Sequence, residues 1–472
     1  MTGASEDRTS APGAAATAAD HVLLADLLAA LSHALDLTEG QAEGHCLRCC
    51  WIGVRIGQEL GLPEAQLADL SYTLILKDLG CSSNAARICE LYLADDRTIK
   101  SGSKHLDGSL KQALRFVLAH TGLQAGPAER LRAIVRIVRN GGRLTRELIE
   151  TRCVRGAEIA RLMRFSDAVA RGIRGLDEHW DGSGKPGGLK GTAIPLFSRI
   201  ALLAQVADVF FTAGGPEAAV AEVTSRADGW FEPRLVEAFR RVAAQPGFWE
   251  TLASAELQEA IAGQVPLHVR ATVDDDYLDD IAAAFAQVID AKSPFTAGHS
   301  ARVTDVADTI AAEMGLPDLR RRWLRRAALL HDIGKLGVSN TILDKPGPLE
   351  PEERAAMQRH AELSETILAR IRPFRHLAAV AGAHHERLDG KGYPRGLSGA
   401  AIDLDTRIIT TADIFDALTA DRPYRAAMSV ARALEIMEEM SGTALDPACL
   451  AALRRTLDRP PVPDDSPPTP LR

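Results

Sequence analysis

Several things are scarce in this 472-residue sequence, and each scarcity removes a class of protein. No stretch approaches the roughly 20 uninterrupted apolar residues that a membrane-spanning helix needs. The most apolar run, 200–211, is short and holds Gln205 and Asp208. No membrane partner is therefore expected, and the chain reads as a soluble cytoplasmic protein. Cysteines are few and odd in number: of seven, six (Cys46, Cys49, Cys50, Cys81, Cys89, Cys153) lie in the first third and Cys449 stands alone. That pattern argues against a disulfide framework. An excess of positive charge is missing too, since 55 Lys and Arg face 63 Asp and Glu, for a net of -8. Nucleic acid is not the expected partner, although a local basic pocket remains open. Residues 1–20 are rich in Ala, Thr, Ser and Gly without an apolar core, so they read as a disordered lead-in and not as a targeting peptide.

Strand-like alternation is also rare, and aromatic residues make up only 5% of the chain. Apolar residues recur instead at three- and four-residue steps, as at Leu24, Leu27, Leu28, Leu31 and Leu35. With Ala, Leu and Arg abundant, this predicts an all-α fold. A chain of this length is expected to divide into at least two cores.

Sliding the sequence along itself shows how it divides. Asp36 meets Asp290, Gly44-His45 meets Gly298-His299, Gly61-Leu62-Pro63 meets Gly315-Leu316-Pro317, and Asp78 meets Asp332, each pair separated by the same 254 residues (299 minus 45). Further on, with small gaps, Asp181-Gly182-Ser183-Gly184-Lys185-Pro186 mirrors Asp389-Gly390-Lys391-Gly392-Tyr393-Pro394. One unit is thus written twice. The expected organisation is a lead-in (1–20), a first unit (21–244), a linker (245–273), a second unit (274–457) and a tail (458–472) whose six prolines cannot continue a helix.

The second unit carries the chemistry. His299, His331, Asp332, His360, His384, His385 and Asp413 form a set of imidazoles and carboxylates without cysteine, which suits a first-row metal and disfavours structural zinc. Each falls within or at the end of a predicted helix, so several helices can aim ligands into one bundle core. Neighbours on a helix point about 100° apart, so His331 and Asp332 suit two adjacent metals better than one.

The segments His331-Asp332-Ile333-Gly334-Lys335, Leu343-Asp344-Lys345-Pro346-Gly347, His384-His385-Glu386, Asp389-Gly390-Lys391-Gly392-Tyr393-Pro394, Ala412-Asp413-Ile414-Phe415-Asp416 and Arg422-Pro423-Tyr424-Arg425 together resemble an HD-GYP domain. The resemblance covers about 274–457. It implies an all-helical, metal-dependent phosphodiesterase that hydrolyses cyclic di-GMP to linear pGpG or GMP with iron or manganese. Carried over by position, the seven residues above are metal ligands and Asp332 bridges the metals. Asp332 and Lys335 are catalytic, and Lys335, Lys345, Asp416, Arg422 and Arg425 contact substrate. Members with three metals have a Glu four residues before the first ligand His. Phe295 holds that position here, so two metals are expected. The Gly-Tyr-Pro loop is implied to dock diguanylate cyclase (GGDEF) domains. A homo-oligomer is left open.

The first unit reads as a disarmed copy: a degenerate HD-GYP-like domain with a structural or regulatory role. It keeps His45 and Asp78, but Lys77 replaces the adjacent histidine and Leu176-Asp177 replaces His384-His385. Gln205 replaces Asp413, and Cys153 falls opposite His360 after a one-residue gap. Lys77 can substitute for a missing cation by pairing with Asp78. The group His45, Cys46, Cys49 and Cys50 is read as core packing. Arg320 to Arg326 is read as a solvated helix face. Two alternatives to cyclic di-GMP hydrolysis stand beside it: a non-catalytic cyclic dinucleotide-binding adaptor, and a phosphodiesterase for another cyclic dinucleotide.

Overall fold

The computed structural model describes residues 22–264, 272–422 and 425–458. The lead-in and, from residue 459, the tail lie outside them. The described chain forms two successive helical bundles, and its only strands are Val22–Leu23 and Thr272–Val273, which pair antiparallel at the start of each bundle.

Matching sequence becomes matching structure. Gly44 and Gly298 take left-handed conformations (φ 83° and 69°) that a side chain would disfavour. They turn the chain into the helices His45–Glu59 and His299–Glu313. The carboxylates of Asp36 and Asp290 accept hydrogen bonds from the first free backbone N–H groups there: Gly44 and Cys46 donate to Asp36, and Ser300 donates to Asp290. Pro63 and Pro317 then precede the helices Glu64–Leu76 and Asp318–Leu330, whose ends deliver Lys77-Asp78 and His331-Asp332.

Each pair runs into a 3-10 turn, Cys81–Asn84 or Ile333–Gly337, that presses on a long helix, Pro127–Leu162 or Pro351–Ala369. Glycine makes that approach possible. A Cβ on Gly80 would lie 1.9 Å from the Arg152 carbonyl oxygen, and one on Gly334 would lie 2.0 Å from that of His360. The contact corrects the sequence comparison: the counterpart of His360 is Arg152, not Cys153. From Arg152 onward the offset is 208 (360 minus 152), so the first half carries 46 more residues than the second (254 minus 208) between Gly80 and Arg152. The added segment folds as Ala85–Tyr92, Asp96–Ser103, Leu110–His120 and the first part of Pro127–Leu162.

The halves interlock. Leu24–Glu39 of the first half lies against Ile333–Gly337 and Pro351–Ala369, while Asp275–Asp290 of the second lies against Cys81–Asn84 and Pro127–Leu162. Leu28 and Leu31 therefore share one continuous core with Ile281 and Phe285. Each such buried side chain contributes roughly 1.5–3 kcal/mol. Phe248–Leu252 and Leu257–Gln264, in the segment joining the halves, pack against His45–Glu59.

Leu196–Ser225 is long and apolar enough to cross a membrane by length and composition, beyond the short run read from sequence. It is a core helix instead. Residues such as Ile200, Leu203, Ala204 and Ala207 are fully buried, and a non-helical Gly215 followed by Pro216 breaks it.

Candidate metal centre

Five helices bring the seven expected ligands together. His299 opens one helix, His331 and Asp332 follow the end of a second, His360 lies within Pro351–Ala369, His384 and His385 end Arg375–Ala383, and Asp413 lies within Leu404–Thr419. His331, His360 and His384 share one orienting device. The Nδ1 of each meets the carbonyl oxygen three residues earlier: Ala328 at 2.7 Å, Met357 at 2.6 Å and Ala381 at 2.5 Å. A carbonyl only accepts, so Nδ1 carries the proton and Nε2 turns its lone pair inward.

Asp332 sits at the centre of this cluster, with its two oxygens facing different histidines. Oδ2 lies 3.4 Å from His299 Nε2 and 3.3 Å from His331 Nε2. Oδ1 lies 3.5 Å from His360 Nε2 and 3.7 Å from His384 Nε2. Asp413 Oδ1 adds to the first group, 3.4 Å from His299 Nε2, and His385 Nε2 adds to the second, 3.1 Å from His360 Nε2. In each of the triads His360–His384–His385, His299–His331–Asp332 and His331–His384–Asp413, the donor atoms lie within 4.8 Å of one another.

The donor set fits divalent cations. His299 Nε2, His331 Nε2 and Asp332 Oδ1 are buried without a hydrogen-bond partner among the described residues, a costly state that coordination relieves. Burial lowers His360 to a pKa of about 4 and His384 to about 3, and holds His385 well below its usual value. All three imidazoles are thus neutral at neutral pH, the form in which Nε2 can bind a metal. Burial opposes a charge on His299 as well, but the carboxylates of Asp332, Asp416 and Asp413 around it outweigh it and raise the pKa to about 9. That cleft holds enough negative charge to bind a cation.

The expected substrate residues divide. Lys335 is at the mouth of the centre, its Nζ 2.5 Å from Asp332 Oδ2. Arg422 is half-buried in the segment after Leu404–Thr419, and its side chain makes no hydrogen bond among the described residues. Asp416, expected to line the substrate pocket, instead stands behind His299. Its carboxylate accepts from His299 Nδ1 at 2.6 Å and from Arg302 Nε at 2.5 Å, so it fixes the imidazole's tautomer and aim. Arg425 donates to the carbonyls of Ala417, Leu418 and Ala426, capping the end of the helix that carries Asp413. Lys345 pairs with Glu353 at 2.5 Å.

The Gly-Tyr-Pro loop borders the centre, with the Tyr393 ring 4.7 Å from that of His385. Glu386 holds the loop by accepting from the backbone N–H of Arg395 and Leu397 at 2.7 and 2.9 Å. Glu178 accepts from Gly187 and Leu189 in the same register of the first half. Sequence reading missed Glu386, Arg302 and the role of Asp416. The recurrence of Arg48 at the first offset and of Glu178 and Asp208 at the second was the signal that could have found them.

The first half shows the same frame with other occupants. His45 Nδ1 binds Asp208 at 2.6 Å and Arg48 holds Asp208 at 2.5 Å, as in the second half. The Lys77 ammonium pairs with Asp78 and lies 3.0 Å from His45 Nε2. Arg152 pairs with Asp177 where His360 and His385 stand in the second half, and Lys104 meets Glu39 at 2.9 Å. Side-chain cations thus neutralise this copy internally. The thiols of Cys46, Cys49 and Cys50 are fully buried and raised by that burial, in agreement with core packing.

A family profile described as HD domain matches residues 114–234 and 283–449, one stretch in each half. The chain belongs to the HD-GYP family of HD domain phosphohydrolases. It is 54% identical over 435 residues to the 3'3'-cGAMP-specific phosphodiesterase 3 of Vibrio cholerae, covering 92% of this chain and 95% of that one. The crystal structure of a V. cholerae cyclic GMP-AMP specific phosphodiesterase, V-cGAP3, covers 93% of this chain with a TM-score of 0.65 and 48% identity, and 99% of that structure is matched. The cyclic di-GMP phosphodiesterase response regulator RpfG of Xanthomonas campestris is 38% identical over 36% of this chain and 46% of its own. Membership in HD-GYP fits the His and Asp cluster of the second half, and the two-part match fits the altered copy in the first.

Proposed function

We propose that this HD-GYP phosphodiesterase hydrolyses 3'3'-cGAMP in preference to cyclic di-GMP. The observation that carries the reading is the extent of similarity. Identity of 54% with a 3'3'-cGAMP-specific enzyme runs through both halves, whereas the likeness to the cyclic di-GMP enzyme RpfG is confined to about a third of the chain. Cyclic di-GMP, the substrate expected from the sequence, thus yields to another cyclic dinucleotide.

His299, His331, Asp332, His360, His384, His385 and Asp413 would hold two divalent metals, iron or manganese. At such a centre, bound metals supply a water of lowered pKa and positive charge for the phosphoryl oxygens. The chain's own residues do the rest. Asp416 and the carbonyls behind His331, His360 and His384 hold the imidazoles in place, so no reorganisation is needed as charge develops. Lys335 is the ammonium at the mouth, free to exchange its hold on Asp332 for a phosphoryl oxygen. Arg422, by its position in the motif, would bind the second phosphate of the ring. The first unit, 21–244, serves as a non-catalytic support or regulator of 274–457, with 245–273 as the connection.

The test compares kcat/KM for 3'3'-cGAMP and cyclic di-GMP, using anaerobically purified protein of known metal content and its Asp332→Ala variant. Faster turnover of cyclic di-GMP would overturn the substrate assignment. Equal product from Asp332→Ala would overturn the site. Binding without turnover under Fe(II) or Mn(II) would make the protein an adaptor.

A further inference from the structure

The 46-residue addition to the first half has a surface unlike the rest of the molecule. Seven of the twelve large apolar side chains that are exposed among the described residues fall between 110 and 138. Leu110 is 85% exposed, Leu123 64% and Leu131 62%. They are not scattered. Arg130 reaches from the start of the long helix to the Leu118 carbonyl at 3.0 Å, and a Cβ on Gly122 would lie 3.3 Å from Arg130, so the helix end bearing Leu118, the turn bearing Leu123 and the helix start bearing Leu131 come together. From there Leu131, Val135 and Val138 continue along one face of Pro127–Leu162 at helical spacing.

Charge follows the same stripe. Residues 110–146 hold eight Lys or Arg and one acid, Glu129, in a chain whose net charge is -8. Arg132, Arg136, Arg139 and Arg143 recur at i, i+4, i+7 and i+11, next to the apolar face. Arg139 and Arg146 have no carboxylate partner among the described residues, and Arg136 meets only the exposed Glu90. The basic run 320–326 is different: its five arginines are paired with Asp275, Asp276, Asp279, Asp308, Asp318, Asp403 or Asp405. Uncompensated positive charge is therefore concentrated in the inserted hairpin.

We propose that this hairpin docks the enzyme on an anionic bilayer surface, with Leu118, Leu123 and Leu131 entering the headgroup layer and the arginines meeting lipid phosphates. The sequence excluded membranes because no run is long enough to span one, but a surface-lying helix needs only an apolar stripe beside a basic face. A second copy docked through the same face would set eight cations against eight. A protein groove is less suited, because the exposed apolar residues are all Leu and Val, without the aromatic anchors of protein interfaces.

The test is co-sedimentation of the full chain with vesicles of phosphatidylcholine alone and of phosphatidylcholine with an equal part of phosphatidylglycerol. The wild type should partition at least tenfold more strongly to the anionic vesicles and be released by salt. Leu123→Ser with Leu131→Ser, and separately Arg132→Glu with Arg139→Glu, should each lower that partition at least tenfold while melting temperature and cyclic dinucleotide hydrolysis stay unchanged. Failure to sediment with the anionic vesicles, or sedimentation indifferent to the arginine changes, would overturn the proposal. So would a dimer in light scattering that the leucine changes dissolve without vesicle binding, which would assign the face to a second copy.

Discussion

The Lys77 ammonium lies 3.0 Å from His45 Nε2 and pairs with Asp78, on the side of His45 where, 254 residues later, His299 Nε2 faces Asp332. A side-chain cation thus stands where the second half gathers its His and Asp cluster. Lys77 is fully buried, and Asp78 keeps its carboxylate well below the usual range despite burial because Lys104 and Lys77 are close. Replacing Lys77 by Met should break the buried Lys77–Asp78 pair, leaving Asp78 only the neighbouring charge of Lys104, and cost about 3–5 kcal/mol. Urea unfolding of Lys77→Met measures this, and adding Asp78→Leu should restore much of the loss. A single variant within 1 kcal/mol of wild type would show that the ammonium is incidental.

Asp416 and Arg425 were expected alike to touch substrate, yet the structure gives them different work. Asp416→Asn keeps the shape but weakens the acceptor behind His299, so metal affinity or activity should fall about 10–100-fold, the range for partners that orient metal ligands. Metal titration followed by turnover should show partial recovery at high Mn(II). Arg425→Lys should leave KM within about threefold, because its guanidinium is taken up by helix-end carbonyls. A large rise in KM from Arg425→Lys, with Asp416→Asn unchanged, would reverse the two assignments.

The fold and the ligand cluster were legible because both rest on side-chain type at fixed spacing. His299, His331, Asp332, His360, His384, His385 and Asp413 announce themselves by chemistry, and the repeat announces the two bundles. The roles of Asp416 and Arg425 were not legible, since a motif gives proximity in sequence and not the direction in which a carboxylate or guanidinium points. The counterpart of His360 was misplaced by one residue for a related reason. Cysteine beside arginine offers no alignment signal, and only the approach of Gly80 to the Arg152 carbonyl fixes the register. The hairpin was invisible because an apolar stripe reads as core until nothing is found packed on it.

Gly392 and Gly184 offer a matched pair. A Cβ on Gly392 would lie 2.5 Å from the Arg387 nitrogen and Glu386 Cα and 2.6 Å from the His385 carbonyl, and one on Gly184 would lie 2.2 Å from the His179 nitrogen. Each loop must shift to admit alanine, at a cost of about 1–3 kcal/mol. Gly392→Ala moves the backbone of His385 in the His and Asp cluster, so kcat/KM should drop at least tenfold. Gly184→Ala should lower the melting temperature by a similar amount with activity near that of wild type. Equal losses of activity would mean that the first half's loop also serves the reaction.

Asp96 joins the halves through a buried ion pair. Its carboxylate accepts from Lys292 at 3.0 Å and from the backbone N–H of Asn340 at 3.1 Å, both in the second half, and from its own neighbour Lys100 at 3.1 Å. Lys292 lies seven residues before His299, and Asn340 five after Lys335, so one first-half carboxylate anchors both segments. Burial, then the charge of Lys100, lowers the Lys292 pKa to about 8 from its ordinary 10.5. Between those values the unfolded chain binds the proton more readily than the folded one. Stability must therefore rise with pH across that window, by about 3 kcal/mol in all, and be insensitive to Lys292 below it. Unfolding free energies of wild type and Lys292→Met at pH 7.5 and 10 isolate the effect: wild type should gain relative to the variant at the higher pH. A gain at the lower pH would mean that the ammonium is stabilised, not strained, at this junction. Asp96→Asn should then slow hydrolysis by loosening the His299 and Lys335 segments together, whereas Glu43→Gln, which breaks the exposed Arg370 contact between the halves, should leave turnover unchanged.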